Sequence, residues 1–352
     1  MTDQQPLSVG LLGYGIAGEV FHAPLLAATP GLRLAAVVTG DPQRQRRARA
    51  RHPGADVLPS ADALWHRPGR LDVVVVATTN RTHVELALAA LAAGSAVVVD
   101  KPLAPTAAEG RQLLAEAARL GGRLTVFQNR RWDGDFLTLR ALAADGALGR
   151  VLRLESRFER WRPQVRPGWR ELPDPAEAGG ALADLGAHLI DQALQLSGPV
   201  TSVYAELDRR RPGAAVDDDA FVALTHASGS RSHLWMSAVA AQPGPRLRAL
   251  GDRAAYVKEG LDGQEEALRS GASPAGPGWG TEPPERWGLL GAGERLERVP
   301  TIAGNYPRFY AELVAALRGD AALPVDPRDS VTVLELIEAA RRSAASGGPV
   351  RP

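Results

Sequence analysis

Hydrophobic positions follow two different rhythms along the chain. In the first part, short apolar runs at residues 9–12, 34–38, 71–77, 96–99 and 124–127 read as strands. Between them, residues 19–28, 43–51, 83–93 and 107–120 carry helical patterning, with Gly94 placed to end the third helix. Val73-Val74-Val75-Val76 is continuous and β-branched, as expected for a strand buried on both faces of a parallel sheet. Strands alternating with helices predict an α/β fold with a doubly wound parallel sheet. Beyond about residue 130 the rhythm changes. Runs at 152–159, 200–207, 220–225, 231–237 and 246–250 are strand-like without a helix between each pair. This predicts an α+β domain with a mainly antiparallel open sheet. A helix is expected over 180–195, and final helices over 306–318 and 330–345 are free to pack back on the first domain. Residues 270–293, rich in Gly and Pro, read as one long loop, of the kind that is either functional or disordered. The expected domains are 1–129 and 130–352.

Composition narrows the functional classes. A chain of 352 residues is long for one core and comfortable for two. A formal net charge of +1 argues against a nucleic-acid partner. The dense basic run at 44–51 has helical spacing and reads as a solvated face, with contact to a cofactor phosphate as the alternative. Cysteine is absent, which excludes disulfides, thiolate metal sites and a cysteine nucleophile. No apolar run is long enough to span a bilayer, so no membrane partner is expected and the cytoplasm is the expected location.

Leu7–Leu12 feeds directly into Gly13-Tyr14-Gly15-Ile16-Ala17-Gly18, a G-x-G-x-x-G turn between a strand and a helix. Gly13 suits the tight turn, Gly15 lets a pyrophosphate approach the backbone, and Gly18 lets helix and strand pack closely. The helix that follows offers unpaired N–H groups to phosphate. Gly13, Gly15, Ile16, Ala17 and Gly18 are therefore cofactor-binding candidates. Asp41 stands near the place of a ribose-binding acid, but Thr39 and Arg44 could instead bind a 2′-phosphate, leaving NAD and NADP both open. Asp100-Lys101-Pro102 ends a strand at its carboxyl end, where a lysine could stabilise charge on a substrate oxygen. Asp184 and His188 are i, i+4 neighbours on one helix face. The imidazole could exchange a proton with an alcohol while the carboxylate orients it. Each has a plain alternative, a surface lysine in a turn and a surface Asp–His pair. No third ligand stands at a diagnostic spacing, so no metal is expected.

Taken in order, G-Y-G-I-A-G, D-K-P and D-L-G-A-H resemble the Gfo/Idh/MocA family of NAD(P)-dependent oxidoreductases. Phe21-His22-Ala23-Pro24-Leu25, Asn129-Arg130-Arg131-Trp132-Asp133 and Gly260-Leu261-Asp262-Gly263-Gln264-Glu265 resemble its branch containing scyllo-inositol 2-dehydrogenases. The resemblance implies an N-terminal Rossmann domain and a C-terminal domain whose open sheet forms homodimers or homotetramers. It implies catalytic Lys101, Asp184 and His188, with Thr78, Asn80, His83 and Lys101 beside the cofactor. The usual E-K-P reads D-K-P here, and Thr79 replaces a proline in Ala77-Thr78-Thr79-Asn80-Arg81-Thr82-His83. The implied reaction moves a hydride between nicotinamide C4 and a secondary alcohol of a small polyhydroxylated ring, an inositol or its ketone. Asn129, Arg130, Trp132, Asp184 and His188 would meet this substrate, and Trp161, Trp169 and Trp279 are further aromatic candidates. A sugar or nucleotide-linked ketosugar is the alternative substrate. A non-catalytic nucleotide sensor would be expected to lack Lys101 or His188, and both are present.

Overall fold

The computed structural model describes residues 5–319 and 321–352. Its contacts divide the chain into two units. The first holds the chain up to Asn129 together with Gln264–Trp279 and Asn305–Val331. The second holds Arg130–Gly263, Gly280–Gly304 and Thr332–Pro352. Met1–Gln4 of the expected first domain lie outside the described residues.

The chain begins with β1 (Leu7–Leu12), α1 (Ala23–Ala28), β2 (Leu32–Val38), α2 (Pro42–Arg51), β3 (Asp56–Leu58) and α3 (Ala61–Trp65). It continues through β4 (Val73–Val76), α4 (His83–Ala92), β5 (Ala96–Asp100), α5 (Ala107–Arg119) and β6 (Leu124–Phe127). These six strands form one sheet in the order β3-β2-β1-β4-β5-β6, with every pair parallel. This is the order of dinucleotide-binding sheets. All four valines of β4 are fully buried between β1 and β5. At about 1.5–3 kcal/mol for each such side chain taken from water, they anchor the centre of the sheet. The strand is shorter than the expected 71–77, and just before it the Asp72 carboxylate accepts from the backbone N–H of Ser8 at 2.8 Å.

Next come α6 (Gly134–Ala144), β7 (Val151–Glu159), α7 (Ala187–Ser197), β8 (Val200–Asp208), β9 (Asp219–His226) and β10 (Arg231–Ser237). β11 (Leu247–Gly251), β12 (Ala255–Lys258), α8 (Gln264–Arg269), β13 (Gly288–Ala292) and β14 (Arg295–Val299) follow. The last helices are α9 (Pro307–Arg318) and α10 (Pro327–Ser346). Eight strands of the second unit form a sheet in the order β14-β13-β12-β11-β7-β10-β9-β8. Only the β7–β10 pair is parallel. Buried residues alternate along β9, the mark of a sheet with one covered face. Phe158, Val222, Leu234 and Met236 join Leu189, Ile190 and Ile337 in this unit's core. No described helix is long and apolar enough to cross a membrane.

Three local expectations need correction. The loop expected over 270–293 ends earlier, because β13 and β14 add a hairpin to the sheet edge. Gly288 seats β13 flat against the Tyr256 ring, where a side chain would collide, so the strand lacks the β-branched signature that marks strands in sequence. The helix expected at 19–28 opens with a wide π-type turn, Ala17–His22, before α1. A second such turn, Leu182–Gly186, precedes α7 in place of a regular helix from 180.

Candidate active site

The three glycines after β1 have separable roles. Gly13 has φ +95°, and a Cβ there would run into the Ala77 carbonyl; a Cβ on Gly18 would run into the Gly13 carbonyl. At Gly15 a Cβ would meet nothing nearer than Arg44 Nη1, 3.8 Å away, so the backbone is open on that side. Ile16 is exposed beside it, and Ala17 begins the wide turn.

β2 ends at Val38 and the chain passes through a buried Thr39 to Asp41, the N-cap of α2. Asp41 Oδ1 accepts from the N–H groups of Gln43 (2.7 Å) and Arg44 (2.9 Å). These bonds, the Arg44 one foremost, hold its carboxyl below the ordinary aspartate range. The basic run of α2 is partly used within the fold, since Arg47 and Arg51 pair with Glu19 at 2.8 and 3.1 Å.

Thr79 adopts φ −78° and ψ 149°, a conformation proline also takes, so the turn after β4 survives the substitution. The hydroxyls of Thr78 and Thr82 lie 2.7 Å apart, and Asn80 and His83 are buried. Burial lowers the pKa of His83, favouring a neutral ring with one N–H. Its Nδ1 lies 2.8 Å from the Pro102 carbonyl and its Nε2 3.4 Å from that of Thr78, so the proton belongs on Nδ1. Lys101 therefore stands in a turn gripped from both sides. The Pro102 carbonyl accepts from His83, and the Lys101 backbone N–H donates to Asp100 Oδ1 at 2.8 Å.

In the second unit, Gly180 (φ +98°) sits directly over the Asp217 carboxylate, which accepts from the Leu182 N–H at 2.7 Å. That acid starts the wide turn carrying Asp184. Burial raises the Asp217 pKa despite this bond. Asp184 pairs with Arg170 at 3.1 Å, and His188 follows in the first turn of α7, 7% exposed.

The N-R-R-W-D segment is largely buried. Arg131 grips Asp191 of α7 with two bonds, at 2.8 and 2.5 Å. Arg130 lies 3.2 Å from Asp133 and stacks on Phe158, and its carbonyl accepts from Gln192. Asn129 and Trp132 are each 6% exposed. Burial first, then the nearby Asp262 and Asp135, push Asp133 up to about 8 against the pull of Arg130 and Arg246. Trp161 is exposed, Trp169 lies under Arg170, and Trp279 donates to Gln264 Oε1 at 3.0 Å.

Motif reading missed several supporting residues. Asp262 caps α6 through the Gly134 N–H at 2.8 Å, and Gln264 also receives the Tyr306 N–H at 2.7 Å, so the G-L-D-G-Q-E motif is framework. Asp217 had a signal in the run Asp217-Asp218-Asp219. A further signal lay in composition, for Lys101 and Lys258 are the only lysines among 41 basic residues.

Residues 7–128 match the oxidoreductase family's NAD-binding Rossmann fold, and residues 140–351 match that family's C-terminal alpha/beta domain. The chain is 43% identical to the uncharacterized oxidoreductase YdgJ of Escherichia coli K12, over 96% of each protein. It is 34% identical to IolW of Bacillus subtilis, a scyllo-inositol 2-dehydrogenase (NADP(+)), covering 96% of this chain and 94% of IolW. Among solved structures, the oxidoreductase yvaA of Bacillus subtilis superposes with a TM-score of 0.93 at 33% identity, over 99% of both chains. The parallel six-stranded sheet, the glycine turn and these two matches establish the chain as an NAD(P)-dependent oxidoreductase of the Gfo/Idh/MocA family.

Proposed function

We propose that the protein is a scyllo-inositol 2-dehydrogenase, moving a hydride between a ring alcohol carbon and nicotinamide. The observation that carries this reading is Lys101 at the carboxyl end of β5, in the same parallel sheet whose β1 runs into the glycine turn. Ligands of such sheets bind outside the carboxyl ends of the strands. The substrate class is supported by the similarity to IolW.

The residues fit a dinucleotide, since Gly15 leaves open the space a pyrophosphate needs. Gly13, Gly15, Ile16, Ala17 and Gly18 would hold the phosphates, Thr39, Asp41 and Arg44 the adenosine end, and Thr78, Asn80, His83 and Lys101 the nicotinamide half. Bound there, the cofactor supplies the redox chemistry. In oxidation His188 takes the hydroxyl proton, and in reduction it returns it. The Lys101 ammonium donates to the same oxygen and stabilises its negative charge. Asp184, steadied by Arg170, orients the imidazole or accepts from a neighbouring ring hydroxyl. Asn129, Arg130 and Trp132 contact the polyol ring.

NADP is the preferred cofactor in this reading. Thr39 stands at the end of β2, where an NAD-selective acid would repel a 2′-phosphate. Asp41 Oδ1 is occupied in capping α2, and the exposed Arg44 lies beside Gly15. The working form is a cytoplasmic homodimer or homotetramer joined through the open sheet. Phe221, His233 and Trp235 make ring contacts at 5.2–6.1 Å on its outward face. The test is reduced-nicotinamide absorbance with scyllo- and myo-inositol, glucose, xylose and ketosugars. Turnover of an inositol ring supports the reading; turnover of a sugar alone moves the enzyme to another substrate class.

A further inference from the structure

Asp100, beside Lys101, has a neighbour to which the proposed chemistry gives no role. His22 lies fully buried at the end of the wide turn after the glycines, its ring 4.4 Å from that of Phe127. Its Nδ1 is 2.6 Å from the Tyr310 hydroxyl. Its Nε2 is buried with no hydrogen-bond partner and points toward Asp100 Oδ1 at 3.9 Å. Burial of Tyr310 on α9, with the Asp100 charge nearby, holds its hydroxyl well above the usual phenol range. A phenol that keeps its proton donates it to Nδ1, which leaves the ring N–H on Nε2, facing the carboxylate. The opposite tautomer would aim a lone pair at an anion in a buried setting, where such repulsion is weakly screened.

The same Asp100 Oδ1 accepts the Lys101 backbone N–H. The gap of 3.9 Å exceeds a hydrogen bond by about 1 Å. We propose that His22 is a positioning residue: locked by Tyr310 with its proton on Nε2, it holds the Asp100 carboxylate against the Lys101 N–H and so sets the turn that presents the ammonium. The inference rests on the role proposed for Lys101, and its first readout needs neither substrate nor cofactor.

With only two lysines, protein labelled with [13C]lysine gives two ε-methylene cross-peaks, assigned through Lys258→Arg. In His22→Leu the Lys101 peak moves while the Lys258 peak stays. His22→Gln, which keeps an N–H near the Nε2 position, restores it. Tyr310→Phe, which leaves the ring packing but releases Nδ1, moves it part of the way. In turnover, His22→Leu lowers kcat on the order of tenfold to a hundredfold with KM unchanged. A Lys101 peak at its wild-type position in both His22→Leu and Tyr310→Phe overturns the proposal, as does a shift that His22→Gln fails to reverse. Should His22→Leu fail to fold, Tyr310→Phe against His22→Gln decides. Shifts as described in a protein that turns over no polyol would leave the positioning intact and sink the substrate reading instead.

Discussion

Lys101 carries an ammonium in a chain that otherwise meets its need for positive charge almost entirely with arginine. The two groups differ in kind, because an ammonium is a compact point charge and a guanidinium a planar fork. Lys101→Arg is therefore expected to behave like a loss. Lys101→Met and His188→Ala should each lower kcat by about a hundredfold to ten-thousandfold. Initial rates on an active polyol check this, and near-wild-type turnover in either variant would remove that residue from the reaction. Arg44 is the corresponding test on the cofactor side. Arg44→Ala should weaken NADPH binding by about tenfold, one lost charge-assisted contact, and leave NADH nearly unchanged. Fluorescence titration with both nucleotides measures it, and equal weakening of the two would contradict a 2′-phosphate contact.

At the scale of elements, the strands most legible in sequence were those buried on both faces. Val73–Val76 could hardly be anything else, and the turn Gly13–Gly18 announced the helix after it. Both wide turns were invisible, because each is a single short turn running directly into a regular helix. The β13–β14 hairpin was invisible for another reason: its first strand is rich in glycine and its second faces water along most of its length. Asp217 shows how distant support governs a local element, since it caps the turn bearing Asp184 from 35 residues away. Asp217→Ala leaves the Leu182 N–H without that acceptor and should destabilise the fold by about 1–2 kcal/mol. Thermal unfolding measures the loss, and an unchanged melting temperature would mean that the cap contributes nothing.

For the molecule as a whole, the sequence disclosed a Rossmann unit and a mainly antiparallel second unit. It could not show that Arg131 is tied to Asp191 or that Arg130 is engaged by Asp133, because such buried partners come from distant segments or irregular turns. That polar cluster bears on stability. The folded state raises Asp133 from 3.8 to about 8, so it keeps a proton that the unfolded chain releases. The resulting stabilisation is full below the unfolded value and is lost as pH rises through the folded one. Denaturant unfolding should show stability falling between about pH 4 and 8. Asp133→Asn, which mimics the protonated form, should flatten that slope, and an unaltered slope would exclude Asp133 as its source. The central claim is that hydrogen leaves a ring carbon for the nicotinamide. Its most direct test is to incubate the protein with NADP and scyllo-inositol deuterated on its ring carbons, then weigh the recovered cofactor by mass spectrometry. The account expects reduced cofactor bearing one deuterium. Reduced cofactor without deuterium, or none formed while NADP binds tightly, would contradict it.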